Sequence, residues 1–112
     1  MRKNIRIGNL KHRIDVYGKV KQKNNLNATE YKDEKVKTIW CAIIPQTASM
    51  GKRVGTEFAK MTHKILVRYG AGKDIVPKQH FVYKSRRFDI LYKLNPFEAN
   101  EYYEFFVQEV IE

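Results

Sequence analysis

The side chains able to do chemistry in this sequence are few and scattered. Cys41 is the only cysteine, and the histidines are His12, His63 and His80. A thiol nucleophile needs a positioned base within hydrogen-bond reach, and no spacing picks out one histidine for Cys41. A single cysteine excludes an intramolecular disulfide and nearly excludes a thiolate metal centre. Cys41 stands between Trp40 and Ala42 in an apolar run, where it reads as a small buried hydrophobe. Trp40 beside it reads as a core anchor. His63 and His80 fall on different predicted strands, which does not make a metal site. Asp33 and Glu34 sit in a polar stretch and read as solvated charges. Glu101, Glu104 and Glu109 lack a companion acid with an obvious role, and read as a solvated face or a subunit contact. There is no P-loop, no Gly-x-Ser-x-Gly and no His-Glu-x-x-His. The expectation is a protein that is not an enzyme, with no catalytic residue, cofactor or metal.

What remains is charge. The formal net charge is +10 over 112 residues. Residues 1–24 hold eight Lys or Arg against one Asp, and residues 51–93 hold eleven against three acids. Residues 98–112 carry five Glu and no base. A basic body attracts nucleic acid. A basic body with an acidic C-terminal strand also suits contacts between neighbouring copies, because head-to-tail contacts join two different surfaces of one chain. Tyr83, Lys84, Arg86, Arg87, Phe88 and Tyr92 interleave rings with bases, as a barrel that stacks single-stranded nucleic acid would. Phe88, Ile90 and Tyr92 also recur with a period of two, which fits the inward face of a strand better than a platform.

The elements that must position these groups are mostly strands. Residues 1–112 read as one domain, too apolar and aromatic for a disordered chain. Alternation predicts strands over about 13–20, 36–46, 62–69, 79–83, 87–94 and 102–111. The centre of the second, Ile39 to Ile44, is apolar at every position, so both of its faces should be covered. Residues 21–35 are polar, Asn-rich and non-periodic, and read as a long mobile loop. Residues 47–61 carry two glycines and read as a second mobile segment, with a short helix or turn around Thr56 to Lys60. Gly70 to Pro77 read as a loop. The fold class expected is mainly β: a six-stranded antiparallel barrel or sandwich with long loops and at most one short helix. No apolar run approaches a membrane span. The basic N-terminus is followed by no signal-peptide core, so synthesis and use in a cytoplasm are expected, with no membrane partner.

Four short motifs stand in a telling order. They are Gly8-Asn9-Leu10-Lys11-His12-Arg13-Ile14, Trp40-Cys41-Ala42-Ile43-Ile44-Pro45, Thr62-His63-Lys64-Ile65-Leu66-Val67-Arg68-Tyr69, and Arg87-Phe88-Asp89-Ile90-Leu91. With Tyr103-Glu104-Phe105, they resemble the phage head–tail joining family, also called head-closure, adaptor or stopper proteins. The resemblance runs from about Gly8 to Glu109. Lys78-Gln79-His80 departs from it, since family members often carry an Arg before the fourth strand.

The resemblance implies a structural virion protein made in the bacterial host cytoplasm. Copies would form a ring, possibly twelve-fold, under the portal or adaptor, close the DNA exit channel after packaging, and dock tail proteins. The free chain would be a monomer. Packaged double-stranded DNA would be touched without sequence preference. In that setting Lys52, Arg53 and Lys60 are the expected channel-facing residues, and Arg13, Arg68, Glu104 and Glu109 the expected subunit contacts. The alternative is a basic barrel that binds single-stranded nucleic acid non-specifically.

Overall fold

The structure, a computed structural model, describes residues 10–46 and 60–111. Six strands, β1 (His12–Lys23), β2 (Thr29–Pro45), β3 (His63–Arg68), β4 (His80–Tyr83), β5 (Arg86–Leu94) and β6 (Tyr102–Val110), close into an antiparallel barrel. The order around it is β1-β2-β3-β6-β5-β4. A one-turn helix, α1 (Tyr69–Gly72), follows β3, and a tight turn at Pro96–Glu98 joins β5 to β6. Among the described residues no helix is long and apolar enough to cross a membrane.

Each strand turns alternate apolar residues inward. Ile14 and Val16, Ile39 and Cys41, Ile65 and Val67, Phe88 and Ile90, and Phe105 and Val107 meet Phe81 in one buried cluster. Phe81 and Phe105 touch edge to face, with centroids 5.3 Å apart. Ile75, from the segment after α1, joins them at 1 % exposure. The stretch that reads as a loop over 70–77 is thus a helical turn and a core plug. Gly72 lets that turn sit down on the barrel, since a Cβ there would lie 2.9 Å from the Tyr103 ring.

Lys37 and Lys93 pin this plug from two sides. The Lys37 Nζ donates to the Ala71 carbonyl at 2.6 Å and to Asp74 at 2.7 Å. The Lys93 Nζ donates to the Lys73 and Ile75 carbonyls at 3.1 and 2.7 Å, and lies 4.3 Å from the Tyr103 ring centroid. Burial lowers the pKa of Lys93, with Asp74 opposing that shift.

The polar stretch 21–35 is not a loop. β1 and β2 continue through it as a paired ribbon, in register from Gly18↔Glu34 to Lys23↔Thr29. The chain turns at Asn24, whose side-chain carbonyl accepts from the Leu26 and Ala28 amides; Asn27 takes a positive φ of 66°. β4 pairs with β1 only at Asp15–Tyr17, and β3 pairs with β2 only from Cys41 to Pro45. The six residues Gly18–Lys23 therefore project about 20 Å beyond the barrel, at about 3.4 Å per residue. This arm gives the molecule extents of 56 × 29 × 25 Å. Periodicity misses it because a solvated two-stranded ribbon has no apolar face to alternate.

Two further readings change. A register shift between Ile90 and Tyr92 breaks the alternation of β5. Such a bulge inserts one residue and turns the rest of the strand over. Tyr92 therefore points outward at 43 % exposure, stacked on Phe106, and Lys93 takes the side toward the core. Trp40 is not a core anchor: it is 49 % exposed. The apolar run of β2 is covered on one face only among the described residues, through Ile39, Cys41 and Ile43.

A core this small has no slack. Phe105→Ala should cost about 3–5 kcal/mol of stability, whereas Leu26→Ala at the arm tip should change it by less than about 0.5 kcal/mol. Urea unfolding of the two variants measures both. Equal effects would mean that the arm is part of the cooperative unit.

Candidate functional site

The groups singled out by type do not converge. Cys41 is fully buried, and burial pushes its thiol up to about 12. His12 stacks edge-on to Tyr83 at 5.3 Å, and His63 edge-on to Phe88 at 5.1 Å. His80 is buried at the junction of arm and barrel, stacked on Tyr17 at 5.5 Å. Among the described residues no group of three or more His, Cys, Asp or Glu could hold a metal ion.

The nucleic-acid platform does not form as a surface. Phe88 has no exposed area. Arg86 crosses its ring and grips Glu109 through two hydrogen bonds of 2.9 and 3.2 Å. Arg87 is paired with Asp89 at 2.8 Å. Lys84 and Ser85, both at positive φ, make the two-residue hairpin turn between β4 and β5.

Of the expected subunit contacts, Glu109 is held by Arg86, which depresses its carboxyl pKa. Glu104 is paired with Lys64 at 3.7 Å. Both acids of β6 thus have a cation partner inside the chain. Arg13 and Arg68 come together. The Arg13 guanidinium lies 5.0 Å over the Trp40 ring, and Arg68 lines a concavity of about 420 Å³ with Leu10, Thr38, Ile39, Trp40 and Ala71. Lys52 and Arg53, with most of 47–61 and of the short helix or turn expected at Thr56 to Lys60, lie outside the described residues; Lys60 is exposed.

Sequence reasoning misses one basic surface. Lys19, Lys21 and Lys23 alternate along the arm, all exposed. Across from them stand Asp33, Tyr31 and Thr29, with Tyr31 62 % exposed. The cue was Lys-x-Lys-x-Lys with a period of two, which carries meaning only once the segment is known to be a strand. At the arm's root, His80 lies 3.7 Å from Asp33. Burial first, then Arg87 and Lys19, lower the His80 pKa; Asp33 and Asp89 pull it back without cancelling.

The phage head completion protein family matches the chain over residues 5–110, and the chain belongs to that family of structural phage proteins. A protein of Shigella flexneri 2a, solved in solution, has a similar fold: TM-score 0.76 at 22 % identity, over 96 % of this chain and 99 % of that one. A chain from the virion of a native gene transfer agent particle is similar at TM-score 0.61 and 20 % identity, over 92 % and 97 %. No curated protein matches.

Two outcomes follow. The Cys41 thiol should stay unreactive toward a thiol-disulfide reagent at pH 8 and react at once in urea; rapid reaction of the native protein would contradict its burial. For His80 and His63 the folded pKa lies below the ordinary 6.5. The unfolded chain then binds protons that the folded chain refuses. Stability should fall as pH drops from about 7 through 6.5 toward the lowered folded values, and level off below them. Urea midpoints across that range check this, and His80→Asn should flatten the slope.

Proposed function

We propose that this chain is a subunit of the head–tail connector in a phage virion. It assembles as a ring beneath the portal or adaptor, closes the DNA exit channel after packaging, and presents the surface on which the tail docks. The observation that carries this reading is membership of the head completion family across residues 5–110. The shape supports it: a stiff closed barrel can stack beside its neighbours while a projecting arm reaches away from them. The charge supports it too, because repeated around a ring, +10 per chain calls for DNA or acidic partners.

DNA is held here through phosphates and without sequence preference. Lys52, Arg53 and Lys60 face the channel, and the Lys19, Lys21 and Lys23 row offers a second basic surface. The free chain is a monomer made in the host cytoplasm, and assembly waits for the portal complex. It performs no catalysis. Binding of single-stranded nucleic acid is the weaker reading, since the central ring of its stacking platform, Phe88, is fully buried.

Electron microscopy of particles made with the gene disrupted is the direct test. Empty or leaking heads beside free tails are expected, and normally joined particles would overturn the reading. Deleting residues 50–58 should give particles that assemble yet lose DNA; full retention would remove that segment from the closure. The isolated monomer should bind short oligonucleotides only weakly; tight binding with a steep salt dependence would favour the single-strand reading instead.

A further inference from the structure

The turn between β5 and β6 is unlike the rest of the surface. Phe97, Glu98 and Asn100 all take positive φ, at 57°, 50° and 57°. For a bulky aromatic this is an outlier, and such strain persists only where the surroundings enforce it. Here Asn95 braces the turn from both ends. Its side chain donates to the Asn100 side chain at 2.9 Å and accepts from the Asn100 amide at 3.2 Å. Its carbonyl accepts from the Glu98 amide at 2.9 Å. The strained backbone buries nothing: Phe97 is left 82 % exposed. A rigid turn that holds a phenyl ring in water has the form of a preorganised anchor for a partner.

A receptor of matching chemistry stands on the same chain. The concavity of about 420 Å³ is walled by Trp40, Ile39, Leu10 and Ala71, with Arg68 at its side. Trp40 is half exposed there, its ring steadied by Arg13. The charges are complementary: Glu98 adjoins Phe97, Arg68 adjoins Trp40, and neither side chain has an ion-pair partner among the described residues. In the closed order, β5 leading into the turn stands three strands from β2 with Trp40, and β6 leaving it stands two. Phe97 does not line the concavity of its own chain and stays exposed. Both lie at one end of the barrel, where Arg68 pairs with Tyr102 and the Tyr69 amide bonds the Glu101 carbonyl.

We propose that Phe97 of one copy inserts against Trp40 of the next, with Glu98 meeting Arg68. The two patches differ, so the contact is head-to-tail and propagates from copy to copy. Because they sit at one end on opposing strands, it can propagate sideways into a closed ring rather than a stack. This deepens the connector reading and rests on it for the ring; the single contact is weak enough to leave the dilute free chain a monomer, and at high concentration it can be tested apart from any particle.

Trp40 is the only tryptophan, so it reports on its own site. The reporter is the Phe97→Ala variant, with its receptor intact and no anchor. The donor is the Trp40→Phe variant, with its anchor intact and no tryptophan signal. Adding donor to reporter should shift Trp40 emission to shorter wavelength, saturably, below ~1 mM donor. A donor carrying Trp40→Phe and Phe97→Ala should produce no shift. Arg68→Glu in the reporter should weaken the response at least tenfold, and Glu98→Arg in the donor should restore it. No shift at ~1 mM, or the same shift with the doubly substituted donor, overturns the contact. Failure of the connector reading shows elsewhere, as normally joined particles after gene disruption.

Discussion

The seam between β1 and β4 is the constraint on which the rest depends. Of the six strand pairings this one has the fewest residue pairs, three: Asp15↔Val82, Val16↔Phe81 and Tyr17↔His80. Without it the sheet would be open, with two free edges ready to pair with other chains. The seam is reinforced from outside the ladder. Tyr17 stacks on His80, and Gly18 lets Gln79 approach so closely that a Cβ would lie 2.8 Å from its side chain. Gln79 in turn accepts from the Val76 amide, which ties the seam to the plug after α1. Just past this point β1 leaves the barrel, and a register shift between Val16 and Tyr17 bends the strand as it departs. Closure and arm thus share one hinge.

The same closure decides what could be read from the sequence. Where a strand has one wet face and one dry face, the period of two is visible, and the start of β1 and the start of β5 follow it. Where the chain has two wet faces, as in the arm, the pattern carries no information and 21–35 reads as loop. Where both faces are apolar, as from Ile39 to Ile44, the pattern cannot say which side is core. It cannot say either that the second side lies open around Trp40. The bulge in β5 is invisible for a different reason. Ile90-Leu91-Tyr92 satisfies either register, and only the pairing with β6 selects the one that turns Tyr92 out. Of the expected site residues, Arg13 and Arg68 fall together beside Trp40. Glu104 and Glu109 were legible as an acidic strand, but their cations, Lys64 and Arg86, come from β3 and β5, which no linear spacing reveals.

Those internal pairs change the meaning of the charge. The acidity of residues 98–112 suggests a negative patch awaiting a basic neighbour. In the fold, Lys64 answers Glu104 and Arg86 answers Glu109, so part of that negative charge already has an intrachain partner. A partly exposed pair such as Arg86 with Glu109 adds little stability; the larger effect of the two pairs is on what is left over. Part of the positive charge is displayed on the arm, where Lys19, Lys21 and Lys23 share a face. A surplus placed on a projecting ribbon reaches a phosphate backbone more readily than one spread over a barrel wall.

Stiffness and reach are therefore assigned to different parts of one small chain, and the fold explains why they must be. A six-stranded barrel holds a single layer of side chains inside, and Phe81, Phe88 and Phe105 take up much of it. Little room remains for a binding cavity, and the inward positions are committed to packing. Recognition has to be carried outside, on the outer faces of strands, on turns and on the arm. Exposed Trp40, exposed Phe97 and the lysine row all lie there. A structural protein of a virion has the same requirement: surfaces that fit neighbours, around a core that does not yield when they are loaded.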